Sequence, residues 1–306
     1  MTDMQSQTQT LYQQGTKSGE RKIISSGKLA YVAGIYQRIG TNFIGRILIN
    51  HKEMCRPGGH WELPILDVSD EYLSLFNHFS SKRTNNRLNY KIEDFCRVFG
   101  EGVMQLMYER VKINIDAKYI VQKNPGTVGL ANFKLFFPEA KLLILIRDGK
   151  DVMNSYLSAS NFAGKKFNPR RYYTAYIFCK RFRDSALRIL DFLKTKPENT
   201  LLVKYEDLTN DLNPQLFRIA EFLEIEPYQE WIDGCMKISV KGSTFYNKAS
   251  EEDKFEEKGN STNWIDNKKT ENFKPVGRYK KFLNKLDLYI FNSVVGKWNK
   301  ELGYLE

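Results

Sequence analysis

The 306-residue chain is poor in cysteine: Cys55, Cys96, Cys179 and Cys235 stand more than 35 residues apart and no CxxC occurs. That excludes zinc-ribbon spacing and fits a reducing compartment. Histidine is scarcer still, with His51 and His60 nine apart, His78 on its own, and no HExxH. No metal constellation is therefore visible, and chemistry without a metal is expected. No segment reaches 18 consecutive apolar residues, and the first 20 residues lack the continuous apolar stretch a signal peptide needs. Together these absences predict a cytoplasmic protein with no membrane span.

What is present is ordinary for a folded protein: 42% hydrophobic and 27% charged residues, with a mean hydropathy of −0.50. Wholesale disorder is excluded. At 35.8 kDa, folding buries roughly 75% of the surface an unfolded chain exposes, enough for one large domain without staples. Lys plus Arg number 47 against 36 Asp plus Glu, a net charge of +11. The excess points to an anionic partner, and a nucleic acid, a phospholipid surface and a small polyanionic cosubstrate all satisfy it.

Residues 1–27 are polar and glycine-bearing and read as a flexible arm. From residue 28 onward the pattern is that of one domain. Residues 29–35, LAYVAGI, suit a buried strand. A tight turn follows, then a helical pattern in which Phe43, Ile44, Ile47 and Leu48 share a stripe. Residues 140–146, AKLLILI, do not alternate, as expected of a parallel strand covered on both faces. Asp148 and Gly149 are placed to close the next turn and cap a helix. Further strands are expected at 119–122 and 200–204, with helices over 91–112 and 170–194. The fold class is therefore α/β, a central parallel sheet flanked by helices. Residues 241–276 are poor in aliphatics and rich in charge, and predict a long loop or lid. An amphipathic tail follows and is expected to dock as a terminal helix.

Two segments bear the marks of anion binding. Gly34 and Gly40 bracket the first turn and Thr41 opens the helix, so backbone N–H groups and a helix N-terminus converge there. The spacing is one residue too long for a Walker A loop, and no lysine follows Gly40. Arg38 lies within the turn as its cation. The second segment runs from Arg147, just after a hydrophobic strand, to Ser155, about two helical turns on. A guanidinium fork and a hydroxyl can grip one phosphate together. The structural alternative pairs Arg147 with Asp151.

At these residues the sequence resembles the sulfotransferases that use 3′-phosphoadenosine 5′-phosphosulfate. Gln37-Arg-Ile-Gly-Thr-Asn-Phe43 looks like a divergent copy of that family's first loop, and Arg147 to Ser155 matches its Arg-to-Ser signature with Lys150-Asp151-Val152 between. Lys123-Asn-Pro125, Lys204-Tyr-Glu-Asp-Leu208 and Val276-Gly-Arg-Tyr-Lys280 follow in family order, so the likeness covers roughly residues 29 to 304. The resemblance implies a P-loop-like nucleotide-binding fold. It implies a donor held by Arg38, Ile39, Gly40, Thr41, Asn42, Phe43, Arg147, Ser155, Tyr205, Gly277 and Arg278, and release of adenosine 3′,5′-bisphosphate. Arg38 stands where the family carries a lysine, Ile39 where a small serine is common, and Pro125 where small cytosolic members keep a catalytic histidine.

The implied reaction moves a sulfuryl group to a hydroxyl of a small metabolite, lipid or glycan. It needs a base, an aligned acceptor and cations at the leaving oxygen. Glu62, in Gly58-Gly-His-Trp-Glu-Leu-Pro64, is the favoured base, expected as a buried carboxylate with a raised pKa. His60 is its rival, Asp67 a third candidate, and a purely structural ion pair at Glu62 the remaining reading. Lys123 and Arg38 are the expected leaving-group cations, and Glu206 is expected to brace loops by pairing with a basic residue instead of touching ligand. Two other classes compete. A P-loop kinase or other ATP user would need the missing lysine, and a nucleic-acid-binding protein would need a recognisable module that the scattered basic residues do not form. Aromatics over 162–176 and 245–264 fit either an acceptor pocket or packing, and the oligomeric state is open.

Overall fold

In the computed structural model, which describes residues 28–57, 62, 64–81, 91–109, 117–160, 162, 167–238 and 275–304, the first apolar run is the middle strand of a five-stranded sheet. The strands are β1 (Lys28–Gly34), β2 (Met54–Cys55), β3 (Tyr119–Asn124), β4 (Lys141–Ile146) and β5 (Thr200–Lys204), in the order β2-β3-β1-β4-β5 and all parallel. The arm at 1–27, His60 and residues 241–274 of the expected lid lie outside the described residues.

The expected strands are all present, the one at 200–204 with the expected bounds and the others differing by one or two residues at their ends. β2 was not foreseen, because two residues carry no readable period. The fully buried strand β4 shows why the sheet lies at the centre: Leu142 to Ile146 are all 0% exposed. Burying five large aliphatic side chains contributes on the order of 10 kcal/mol before the entropy of ordering them is subtracted.

Helices cover both faces. They are α1 (Thr41–Ile49), α2 (Ser69–Ser80), α3 (Ile92–Glu109), α4 (Phe133–Phe136), α5 (Gly149–Ala159), α6 (Pro169–Lys194), α7 (Tyr205–Asn210), α8 (Leu212–Leu223), α9 (Gln229–Lys237), α10 (Tyr279–Phe282), α11 (Lys285–Val294) and α12 (Gly296–Glu301). In α1 the predicted stripe of Phe43, Ile44, Ile47 and Leu48 is buried. The side chain of Asp148 caps α5 by accepting the Lys150 N–H, as expected, and Asn168 caps α6 just ahead of Pro169. The tail docks as three short helices instead of one. Asn284 and Asp287 form a capping box that starts α11, and Asp287 is buried against Arg171 of α6.

The topology positions the site. The chain leaves β1 toward one edge and leaves β4 toward the other, so a crevice opens between the carboxyl ends of these two neighbouring strands. The turn after β1, the end of β3, Arg147 after β4 and Tyr205 after β5 all lie on that edge.

Candidate functional site

The turn after β1 is shaped by tight contacts. A Cβ at Gly40 would lie 2.4 Å from the Tyr205 ring, and Gly40 itself has φ +103°. At this position a side chain would meet both the strained backbone and the ring, so glycine suits it. Arg38 also has φ +71°, uncommon for a residue with a side chain. Its carbonyl oxygen accepts a hydrogen bond from Arg147 Nη1 at 3.0 Å, which holds the turn in that conformation. Ile39 and Phe43 send their side chains into the core, so toward a ligand they offer backbone alone. Thr41 is buried at the start of α1, and Asn42 has a buried side-chain oxygen with no partner among the described residues.

Arg147 is the hub of the site. It is 7% exposed, and besides Arg38 its guanidinium donates through Nη2 to the Pro275 carbonyl at 2.8 Å. Its central carbon, Cζ, lies 4.4 Å from the centre of the Tyr205 ring. Its Nε is buried with no hydrogen-bond partner among the described residues. The alternative pairing with Asp151 is not formed. That carboxylate instead accepts the backbone N–H groups of Gly277 and Tyr279. Ser155 accepts from Arg38 Nε at 3.4 Å, so the two predicted anion segments, 117 positions apart in the chain, meet at one place.

The electrostatics agree. Burial first, then the neighbouring Arg147 charge, lowers the pKa of both Arg38 and Arg278 below the ordinary arginine value. Arginine does not give up its proton in a protein, so this crowding favours a bound anion. Gathered guanidiniums, a partnerless buried N–H and a helix N-terminus fit a phosphate-bearing ligand.

The β3 end presents a different pair. Lys123 Nζ donates to Glu62 Oε1 at 2.7 Å; the lysine side chain is 4% exposed and the glutamate 49%. This corrects the expectation of a buried Glu62, because the buried member is the lysine. The carboxylate stands at the surface, where a bridge to Lys123 holds its backbone beside the sheet. Asp67 lies nearby, its Oδ1 accepting from Asn124 Nδ2 at 3.3 Å, and burial raises its pKa.

Glu206 does brace loops, though no basic side chain among the described residues hydrogen-bonds to it. Its carboxylate accepts the Asp148 N–H at 3.0 Å and the Tyr304 hydroxyl at 2.8 Å. Asn299 completes this support, accepting the Gly149 N–H and donating to Asp148. Sequence reasoning missed Asn299, Tyr304 and the role of Asp151; the only available signal was that polar residues recur in an otherwise amphipathic tail. Among the described residues no cluster of His, Cys, Asp or Glu could hold a metal ion, and no helix is long and apolar enough to cross a membrane.

Residues 35–230 match the profile of the sulfotransferase family. No curated protein sequence matches the chain. Among solved structures, the chain is similar to the sulfotransferase domain from the Synechococcus PCC 7002 olefin synthase, at 15% identity over 91% of this chain and 95% of that one, with a TM-score of 0.51. It is similar to retinol dehydratase in complex with androsterone and the inactive cofactor PAP, at 16% identity over 90% and 82% of the two chains, with a TM-score of 0.50. The sulfotransferase domain from the curacin biosynthetic pathway shares 18% identity over 70% and 80%, with a TM-score of 0.45. At these identities the first two show a common fold.

Proposed function

The chain belongs to the sulfotransferase family, and we propose that it binds 3′-phosphoadenosine 5′-phosphosulfate and transfers its sulfuryl group to a hydroxyl of a small-molecule, lipid or glycan acceptor. The observation that carries this reading is the meeting of Arg38, Arg147 and Ser155 at one sheet edge. The donor supplies an activated sulfuryl group on a phosphate leaving group.

In this reading Arg147, Ser155 and Arg278 hold the 3′-phosphate by charge-assisted bonds. The α1 N-terminus at Gly40 to Asn42 holds the 5′-phosphate, with Ile39 and Phe43 contributing backbone groups and Tyr205 supporting the turn from below. Lys123, kept in place by burial, and Arg38 offset charge developing on the bridging oxygen. Glu62 takes the proton of the acceptor hydroxyl as the new O–S bond forms and the S–O bond to the phosphate breaks. Its exposure leaves it open to an acceptor arriving from solvent, and Lys123 fixes its direction. The products are a sulfated acceptor and adenosine 3′,5′-bisphosphate.

Calorimetric titration with adenosine 3′,5′-bisphosphate tests the donor assignment. The chain is expected to bind it and to prefer it to ATP, and Arg147→Ala and Ser155→Ala are expected to weaken binding, the arginine by roughly 10-fold or more. Equal affinity of wild type and both variants would reject the reading.

A further inference from the structure

Asp151 sits in the first turn of α5, between the two signature residues, and is 1% exposed. A buried carboxylate is costly unless hydrogen bonds satisfy it. Here the donors come from the far end of the chain. Oδ2 accepts the Gly277 N–H at 2.6 Å and Oδ1 accepts the Tyr279 N–H at 3.0 Å, bonds that span 126 and 128 positions. The two amides flank Arg278. Gly277 has φ +74°, and a Cβ there would meet nothing within 4 Å, so this glycine answers a need for conformation and not for space. The left-handed turn aims two nearby N–H groups at one carboxylate.

The segment is held on its other side as well, since Pro275 offers its carbonyl to Arg147. Residues 275–279 thus form a strap stapled to α5 by Asp151 and to the hub by Arg147. The charge of Asp151 also counters the repulsion that Arg147 exerts on Arg278.

We infer that Asp151 is a positioning residue for donor binding: by docking the strap it sets Arg278 beside Arg147, and it reaches the 3′-phosphate only through that arginine. The inference rests on the donor reading proposed above. It makes the anion site composite, with one cation on loan from the C-terminal strap.

The test is a mutant cycle on the full chain, with affinities for adenosine 3′,5′-bisphosphate and for AMP, which lacks the 3′-phosphate. Asp151→Asn is expected to weaken the bisphosphate by roughly 10-fold and AMP by less than about 2-fold. In an Arg278→Ala background the same change is expected to add less than about 2-fold, because the group it acts through is gone. A full loss that persists without Arg278, or an equal loss for AMP, overturns the inference. Amide exchange in the wild type gives an answer that needs no variant. Exchange at Gly277 and Tyr279 is expected to slow when the bisphosphate is added, since coupling is reciprocal, and unchanged exchange overturns the proposal. A wild-type chain that does not bind the bisphosphate at all rejects the donor reading itself.

Discussion

Lys123 and Glu62 join a buried ammonium to a half-exposed carboxylate across 2.7 Å at the end of β3. The asymmetry matters because the lysine is held by packing while the glutamate remains reachable. Solvent at the half-exposed carboxylate screens the attraction, so the value of the pair here lies in orientation.

Glu62→Gln is accordingly expected to lower turnover by roughly 100-fold or more with affinity for adenosine 3′,5′-bisphosphate unchanged. The measurement is product formation from labelled donor with an acceptor found by screening small-molecule, lipid and glycan hydroxyls, alongside calorimetry. Near-normal turnover would move the base assignment to Asp67 or His60.

Gly40→Ala places a methyl group inside contact distance of the Tyr205 ring at a left-handed φ. The strain costs on the order of 1–3 kcal/mol, and a lower thermal midpoint with loss of bisphosphate binding is expected. Wild-type values for both would mean that the turn has another conformation.

Glu206 gives a pH signature. Burial raises its pKa, outweighing the hydrogen bonds from Asp148 and Tyr304 that lower it. A carboxyl with a raised folded pKa holds more protons in the native state than in the unfolded state between the two values. Its contribution to stability therefore falls as pH rises from the ordinary glutamate value through the raised one. Glu206→Gln removes this dependence. Urea unfolding across mildly acidic pH should show the variant gaining on the wild type as pH increases, and a constant difference would refute the assignment.

Tyr304→Phe deletes the donor to Glu206 at the end of the tail. A loss of about 1–2 kcal/mol in stability is expected, with weaker bisphosphate binding than wild type but a smaller loss than Arg147→Ala causes. An effect on binding as large as that of Arg147→Ala would place Tyr304 in contact with ligand and contradict its supporting role.

The legible part of the molecule was its local part. The unbroken aliphatic run of β4 and the stripe of α1 announce themselves by period, and Asp148 by its place before a helix. The candidate anion residues were legible because Arg147 and Ser155 keep a fixed spacing within one strand–helix unit. The burial of Lys123 and the exposure of Glu62 were not, since each depends on what packs around the end of β3.

The sequence alone determined a parallel α/β sheet, a turn with glycines before a helix, and a basic residue at the end of β4, because each follows from contacts among near neighbours. Tertiary structure alone decided that Arg38 touches Ser155, that Asp151 anchors the strap in place of pairing with Arg147, and that the tail braces the Asp148 turn through Glu206. These partners stand 98 or more positions apart, apart from the 58 between Asp148 and Glu206. Hydrogen bonding between them depends on where the sheet order brings loop ends together, and no periodicity along the chain encodes that meeting.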